Sequence, residues 1–200
     1  MINFEKKIAS RIELLRHLHH RVNLQAISDI LASSLTQGNK ILVFGNGGSA
    51  TQSSHFAAEL VNRFLLERSG MPAIALSADV ANLTSIANDR DFKYIFSRQL
   101  EALGREGDVA FGLTTSGKSE NILEAFRTAA RMNLKSVCLC GNDTESLEPL
   151  DLDGVLAVPS GSTPEVQEIH LLLIHLLAEN LEINFAEAGP SLQVKDQNGY

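Results

Sequence analysis

Residues 41–44, Ile-Leu-Val-Phe, form a run with no polar side, and the run stops at Gly45-Asn46-Gly47-Gly48. Such a strand has no face to give to water, so it must lie in a sheet covered on both sides. Helical spacing follows: Ser49 is the expected cap, and His55 and Glu59 stand four residues apart, on nearly one helix face. Strand, glycine turn and helix in this order put backbone N–H groups and a helix N-terminus where an anion can bind.

The same alternation recurs along the chain. Apolar runs at 72–76, 109–113, 136–140 and 155–158 read as strands, with helical pattern over 79–89, 92–103, 119–132 and 165–185. Strands alternating with helices imply right-handed βαβ units, hence an α/β domain of three layers around a five-stranded parallel sheet. Two helices precede it: one carries Phe4, Ile8, Ile12, Leu15 and Leu18, and one runs from a cap at Asn23 to Gly38. The expected organisation is a helical extension (1–38) packed on the core or on a neighbouring subunit, an α/β domain (39–188) and a loose tail (189–200). Ligands of such sheets sit beyond the carboxyl ends of the strands, which directs attention to the loops after the first and third.

A net charge of −7 with no compensating basic face speaks against nucleic acid, while leaving room for a phosphorylated substrate held by backbone dipoles. The two cysteines, Cys138 and Cys140, alternate along a strand and suggest small buried side chains rather than a disulfide. No signal peptide opens the chain, and the apolar run at 171–178 is interrupted by His175 and too short for a bilayer. The expected setting is cytoplasmic, with no membrane partner.

Several motifs carry chemistry. GNGGS at 45–49 is not a dinucleotide fingerprint, because Ala50 stands where a third Gly is required. Thr114, Thr115, Ser116 and Ser119 bring four hydroxyls to a strand-to-helix turn, a setting for phosphate. The same stretch, 112–119, satisfies the P-loop pattern G-x-x-x-x-G-K-S, although no strand ending in a Walker-B Asp accompanies it. The last helix offers Gln167 and His175 on one face and His170 on another. His17, His19 and His20 cluster near a helix bend, where solvated histidines are the ordinary reading.

Six motifs, GNGGS, HFAAEL at 55–60, AND at 87–89, GREGDV at 104–109, TTSGKS at 114–119 and VQEIHLLLIH at 166–175, resemble in order and interval the SIS-domain sugar-phosphate isomerases, and within them the phosphoheptose isomerases. The resemblance covers nearly the whole length. It implies a flavodoxin-like domain, a homotetramer with active sites at subunit interfaces, and zinc bound in each subunit by His55, Glu59, Gln167 and His175. The implied reaction turns sedoheptulose 7-phosphate into D-glycero-D-manno-heptose 7-phosphate through a cis-enediol, for bacterial envelope heptose. Glu59 and His175 would be the acid–base pair, with Asp89 near the sugar helping ring opening. Asn46, Gly47, Gly48, Glu59, Asn88, Asp89, Thr114, Thr115, Ser116, Ser119 and Gln167 would contact substrate.

The chain departs from the family pattern at three places. Thr114 replaces a Ser and keeps its hydroxyl. Lys118 replaces an Asn and is expected to put a cation beside the phosphate. Pro164 stands where an Asp is usual, which implies either a weakened enzyme or a different sugar preference. Two further readings compete: a non-catalytic binding protein like the family's replication-initiator-associating paralogue, which lacks the acidic member of the His-x-x-x-Glu pair, and a P-loop nucleotide enzyme.

Overall fold

Five strands, β1 (Ile41–Gly45), β2 (Ala73–Ala75), β3 (Val109–Leu113), β4 (Lys135–Cys140) and β5 (Gly154–Ala157), are all parallel in the computed structural model, which describes residues 3–19 and 23–188. Their order, β2-β1-β3-β4-β5, is that of a flavodoxin-like sheet. Alternate side chains leave a strand on opposite faces. Ile41 and Val43 therefore join one core with Phe111, Val137 and Leu139, while Leu42 and Phe44 join a second with Ala110, Cys138 and Phe126. One apolar run feeds two cores, and this is why it has no polar side.

Helices α1 (Phe4–His19), α2 (Leu24–Thr36), α3 (Gly48–Val61) and α7 (Thr163–Ala188) cover the first face. On the second lie α4 (Val80–Asp89), α5 (Ser97–Leu103) and α6 (Glu120–Arg131). Asn23 caps α2 by accepting the Ala26 N–H at 3.0 Å, as its position in the sequence predicts. That helix is part of the domain core, burying Ile27, Leu31 and Leu35. Attachment of α1 is lighter, through Leu14 and Leu18 and through Arg11, which donates to Glu165 at 2.6 Å and Glu168 at 2.7 Å on α7. Phe4, Ile8, Ile12 and Leu15 are left exposed in a stripe along it.

GREGDV has a structural task. Asp108 is buried and accepts the Lys40 N–H at 2.9 Å, the Lys40 ammonium at 2.5 Å and the Arg105 N–H at 2.7 Å, locking the starts of β1 and β3 together. Cys138 and Cys140 are free and buried, and Cys140 together with burial holds the Cys138 thiol well above its ordinary range.

Two local expectations are corrected. Ser49 is no cap: the N-cap of α3 is Gly47, at φ +54°, and Ser49 is buried within the first turn. The cap position needs a residue comfortable at positive φ, and the glycine that meets this need has no side chain with which to cap. The 92–103 helix is broken, because Asp91 accepts the Lys93 N–H and starts a single 3-10 turn (Phe92–Tyr94) ahead of α5. Asn88 and Asp89 are the last residues of α4. The exposed His17 bonds through Nδ1 to the Glu13 carbonyl at 2.8 Å. His20, the side chain of His19 and the 189–200 tail lie outside the described residues. Among the described residues no helix is long and apolar enough to cross a membrane.

Candidate functional site

At the carboxyl edge of the sheet the strand order reverses between β1 and β3, and the loops leaving these two strands part around a crevice. A cavity of about 290 Å³ opens there, lined by Asn46 to Ser49, by Leu113 to Ser116, and by Ser119, Thr163 and Gln167. Among the described residues no charged side chain lines it. Its polarity comes instead from three helix starts: Gly47 caps α3, Ser119 caps α6, and α7 begins at Thr163. Each helix N-terminus carries unpaired N–H groups and about half a positive charge, so their convergence makes an anion site without a cation. Ser119 makes no side-chain cap bond, which leaves its hydroxyl free for a ligand.

The lining is held from behind. Asn46 and Asn121 exchange two amide hydrogen bonds of 2.9 and 2.8 Å, tying the β1 loop to α6. Thr114 Oγ1 accepts the Gly117 N–H at 3.2 Å, and the Thr115 and Thr163 hydroxyls lie 3.4 Å apart. Gly117 has φ +67°, and an added Cβ would stand 2.2 Å from the Asp143 carbonyl oxygen. Gly48 is bare for a related reason, since a Cβ there would meet the Gln167 carboxamide at 2.5 Å.

Two turns further along α3 and α7 the chemistry changes. His55 Nε2 lies 2.8 Å from His175 Nε2 and 3.3 Å from Glu59 Oε1. Two imidazole nitrogens at that distance can have only one hydrogen between them, so at least one presents a bare lone pair. One ligand atom from each of the three residues lies within 4.8 Å of the others. Two imidazole nitrogens and a carboxylate oxygen gathered this closely are donors of the kind that zinc takes. The residues present fit such an ion.

The surroundings orient these groups. The Phe64 ring stacks on His175, with centroids 5.4 Å apart and planes 22° from parallel. Gln52 donates to the Gln167 carbonyl at 2.7 Å and ties α3 to α7 between the cavity and the cluster. His170, on the inner face of α7, is fully buried against the Cys140 carbonyl at 3.3 Å. Burial pushes its pKa down to about 4, only partly opposed by that hydrogen bond, so it is a neutral core histidine.

The sequence profile of the SIS domain matches residues 3–141. Over 159 residues, 80% of this chain and 79% of the relative, the sequence is 49% identical to the phosphoheptose isomerase of Thermodesulfovibrio yellowstonii. Over 182 residues, 91% and 90% of the two chains, it is 43% identical to the phosphoheptose isomerase of Helicobacter pylori. The chain belongs to the SIS-domain phosphoheptose isomerase family. A solved phosphoheptose isomerase from Francisella tularensis superposes on this SIS domain with a TM-score of 0.86 at 35% identity, covering 90% of this chain and 96% of that one.

Of the residues marked from sequence, Asn46, Gly47, Gly48, Thr114, Thr115, Ser116, Ser119 and Gln167 all line the cavity of this SIS domain. His55, Glu59 and His175 meet in the second cluster. The Gln167 carboxamide lies against Gly48, and its backbone stands eight residues before His175 on α7. Asn88 and Asp89 are exposed, bonded to each other at 2.8 Å, and do not line the cavity. Pro164 is exposed in the first turn of α7. Lys118 corrects an expectation: its ammonium pairs with Asp143 at 2.5 Å and does not line the cavity, because Gly117 turns the loop against residue 143. Asn121, Thr163 and Phe64 escaped notice in the sequence. Only Thr163 left a signal there, as the residue before a proline at a helix start.

Proposed function

We propose that this chain is a ketose–aldose isomerase that converts sedoheptulose 7-phosphate to D-glycero-D-manno-heptose 7-phosphate in heptose biosynthesis, a reading supported by relatives that are phosphoheptose isomerases. The observation that carries this reading is the pairing of a cation-free anion cavity with a titratable cluster on the same two helices. His55 follows Gly48 by seven residues and His175 follows Gln167 by eight, so about 10–12 Å of helix separates the two, a span suited to an extended sugar phosphate.

In this reading the phosphate takes N–H groups from the starts of α3, α6 and α7 and hydroxyl hydrogens from Thr114, Thr115, Ser116 and Ser119. Asn46, Gly47, Gly48 and Gln167 hold the sugar chain beyond it. The Glu59 carboxylate removes a proton from C1 while the His175 imidazole gives one to the oxygen on C2, leaving a cis-enediol. The O1 proton then returns to the imidazole as the Glu59 carboxyl delivers its proton to C2, and the aldehyde forms. Zinc held by His55, Glu59 and His175 would, when bound, supply Lewis-acid polarisation of the sugar oxygens. Ligation and proton transfer would compete for His175 Nε2, whereas Glu59 has one oxygen for each. Chelation separates these roles: turnover that survives metal removal assigns His175 to the proton, and turnover that returns only with zinc assigns it to the ion.

A homotetramer with shared sites belongs to the same proposal. The exposed apolar stripe of α1 and the outward Asn88 and Asp89 support it. Two observations weigh against the competing functions. Glu59 is present and points at His55, unlike in the non-catalytic paralogue. Lys118 is engaged by Asp143, whereas a P-loop lysine must reach the phosphates. The direct test offers purified protein sedoheptulose 7-phosphate and follows the aldose by NMR. No conversion, with or without added zinc, overturns the reading.

A further inference from the structure

The segment from Asn62 to Gly70, which leaves α3 and returns to β2, buries little of its own. Leu65 and Leu66 are exposed, and only Phe64 and Arg68 are partly covered. A loop so poor in apolar contacts should be free to move, yet a single buried carboxylate gathers it. Glu182 of α7 accepts the backbone N–H groups of Phe64 at 2.7 Å, Leu65 at 2.7 Å and Leu66 at 2.9 Å, and the Arg68 Nε–H at 3.1 Å. It is 1% exposed. Burial alone would raise its pKa, but the three N–H groups and Arg68 hold it below the usual carboxylate range, so the anion persists inside the protein. Arg68 then reaches on to α3, donating to the Glu59 carbonyl at 2.7 Å and the Leu60 carbonyl at 2.8 Å.

Both ends of this device touch the titratable cluster. Phe64, whose N–H is held by Glu182, stacks on His175. Arg68, whose guanidinium is held by Glu182, grips the backbone of Glu59. Glu182 follows His175 by seven residues, two turns of the same helix, so it presents the loop to the same face of α7.

We infer that Glu182 is a positioning residue for the reaction: through Arg68 and the Phe64 N–H it fixes the orientation of the Glu59 and His175 side chains relative to His55. The inference rests on the isomerase reading of that cluster. Its ligand-independent content is that the geometry of His175 is set from behind by Glu182. Groups that orient metal ligands typically change affinity or activity by roughly 10–100-fold when lost.

The test compares wild type, Glu182→Gln and Phe64→Leu by three measurements: steady-state isomerisation of sedoheptulose 7-phosphate, zinc affinity by chelator competition, and the ring-proton resonances of His175 in the metal-free protein. In Glu182→Gln, kcat should fall by about tenfold with KM within about twofold, and zinc should bind about tenfold more weakly. The His175 resonances should move toward those of Phe64→Leu, in which the stacked ring is gone. If Glu182→Gln does not fold, Arg68→Lys takes its place, because it keeps the buried charge pair while weakening the hold on Glu59. Folded variants with wild-type His175 resonances and wild-type zinc affinity overturn the inference, whatever happens to kcat. If wild type isomerises nothing, the proposed function fails, while the resonances still decide whether Glu182 positions His175.

Discussion

The cavity at the strand ends and the cluster two turns below it are built on opposite principles. Backbone makes the first: three helix starts, a positive-φ glycine and a ring of hydroxyls, with no charged side chain among the described residues of the lining. Side chains make the second: two imidazoles and a carboxylate, whose backbone contributes only helix spacing. A backbone site tolerates substitution of its lining because the N–H groups remain. A side-chain site fails when one atom is lost. The first should set affinity and the second rate.

The largest effect expected from that division lies in the cluster. Glu59→Gln or His175→Ala should lower kcat by on the order of a hundredfold or more, as for a lost general acid or base, with KM nearly unchanged. Steady-state rates with sedoheptulose 7-phosphate check it, and wild-type kcat in both variants would put the chemistry elsewhere.

Next comes the support common to both regions. His170 sits on α7 between Gln167 and His175 and is held neutral by burial, with a pKa near 4. Between pH 6.5 and about 4 the unfolded chain binds a proton that the folded chain refuses, so stability is full above pH 6.5 and falls as the pH drops through that interval. The loss should approach about 3 kcal/mol. Denaturant midpoints measured from pH 7.5 down to pH 4 should show a slope that His170→Gln diminishes.

A smaller change is expected in the cavity. Ser119→Ala removes one hydroxyl that caps nothing, so KM should rise about 3- to 10-fold, the worth of one hydrogen bond, while kcat and the melting temperature stay put. If kcat falls instead, the two regions are not separable. Lys118→Asn should do least, leaving kcat/KM within about twofold, because the ammonium faces Asp143. A large loss would place the ammonium beside the sugar phosphate after all.

Legibility followed the same division. The run at 41–44 demanded two cores because every residue in it is apolar, and the structure supplies both. His55 and Glu59 could be placed on one face by counting, since helix spacing is local. By contrast, Ser49 was expected as a cap because capping rules describe ordinary turns, and the positive φ of Gly47 makes this turn unusual. Lys118 was expected beside the anion because sequence shows the neighbours of a residue and not the direction in which its loop is turned. Asn121, Phe64 and Glu182 carry no local mark at all. Each matters through a partner 75, 111 or 114 to 118 residues away.

Sequence alone determined the layers, the parallel sheet, the loops where a ligand must sit and the residue types able to do the chemistry, because these follow from periodicity and from spacing within single elements. Tertiary structure decided which helix starts converge on the anion cavity, that His175 meets His55, and that a buried carboxylate gathers the loop behind them. Those are distances between elements far apart in the chain, set by how the two cores pack, and no local pattern encodes them.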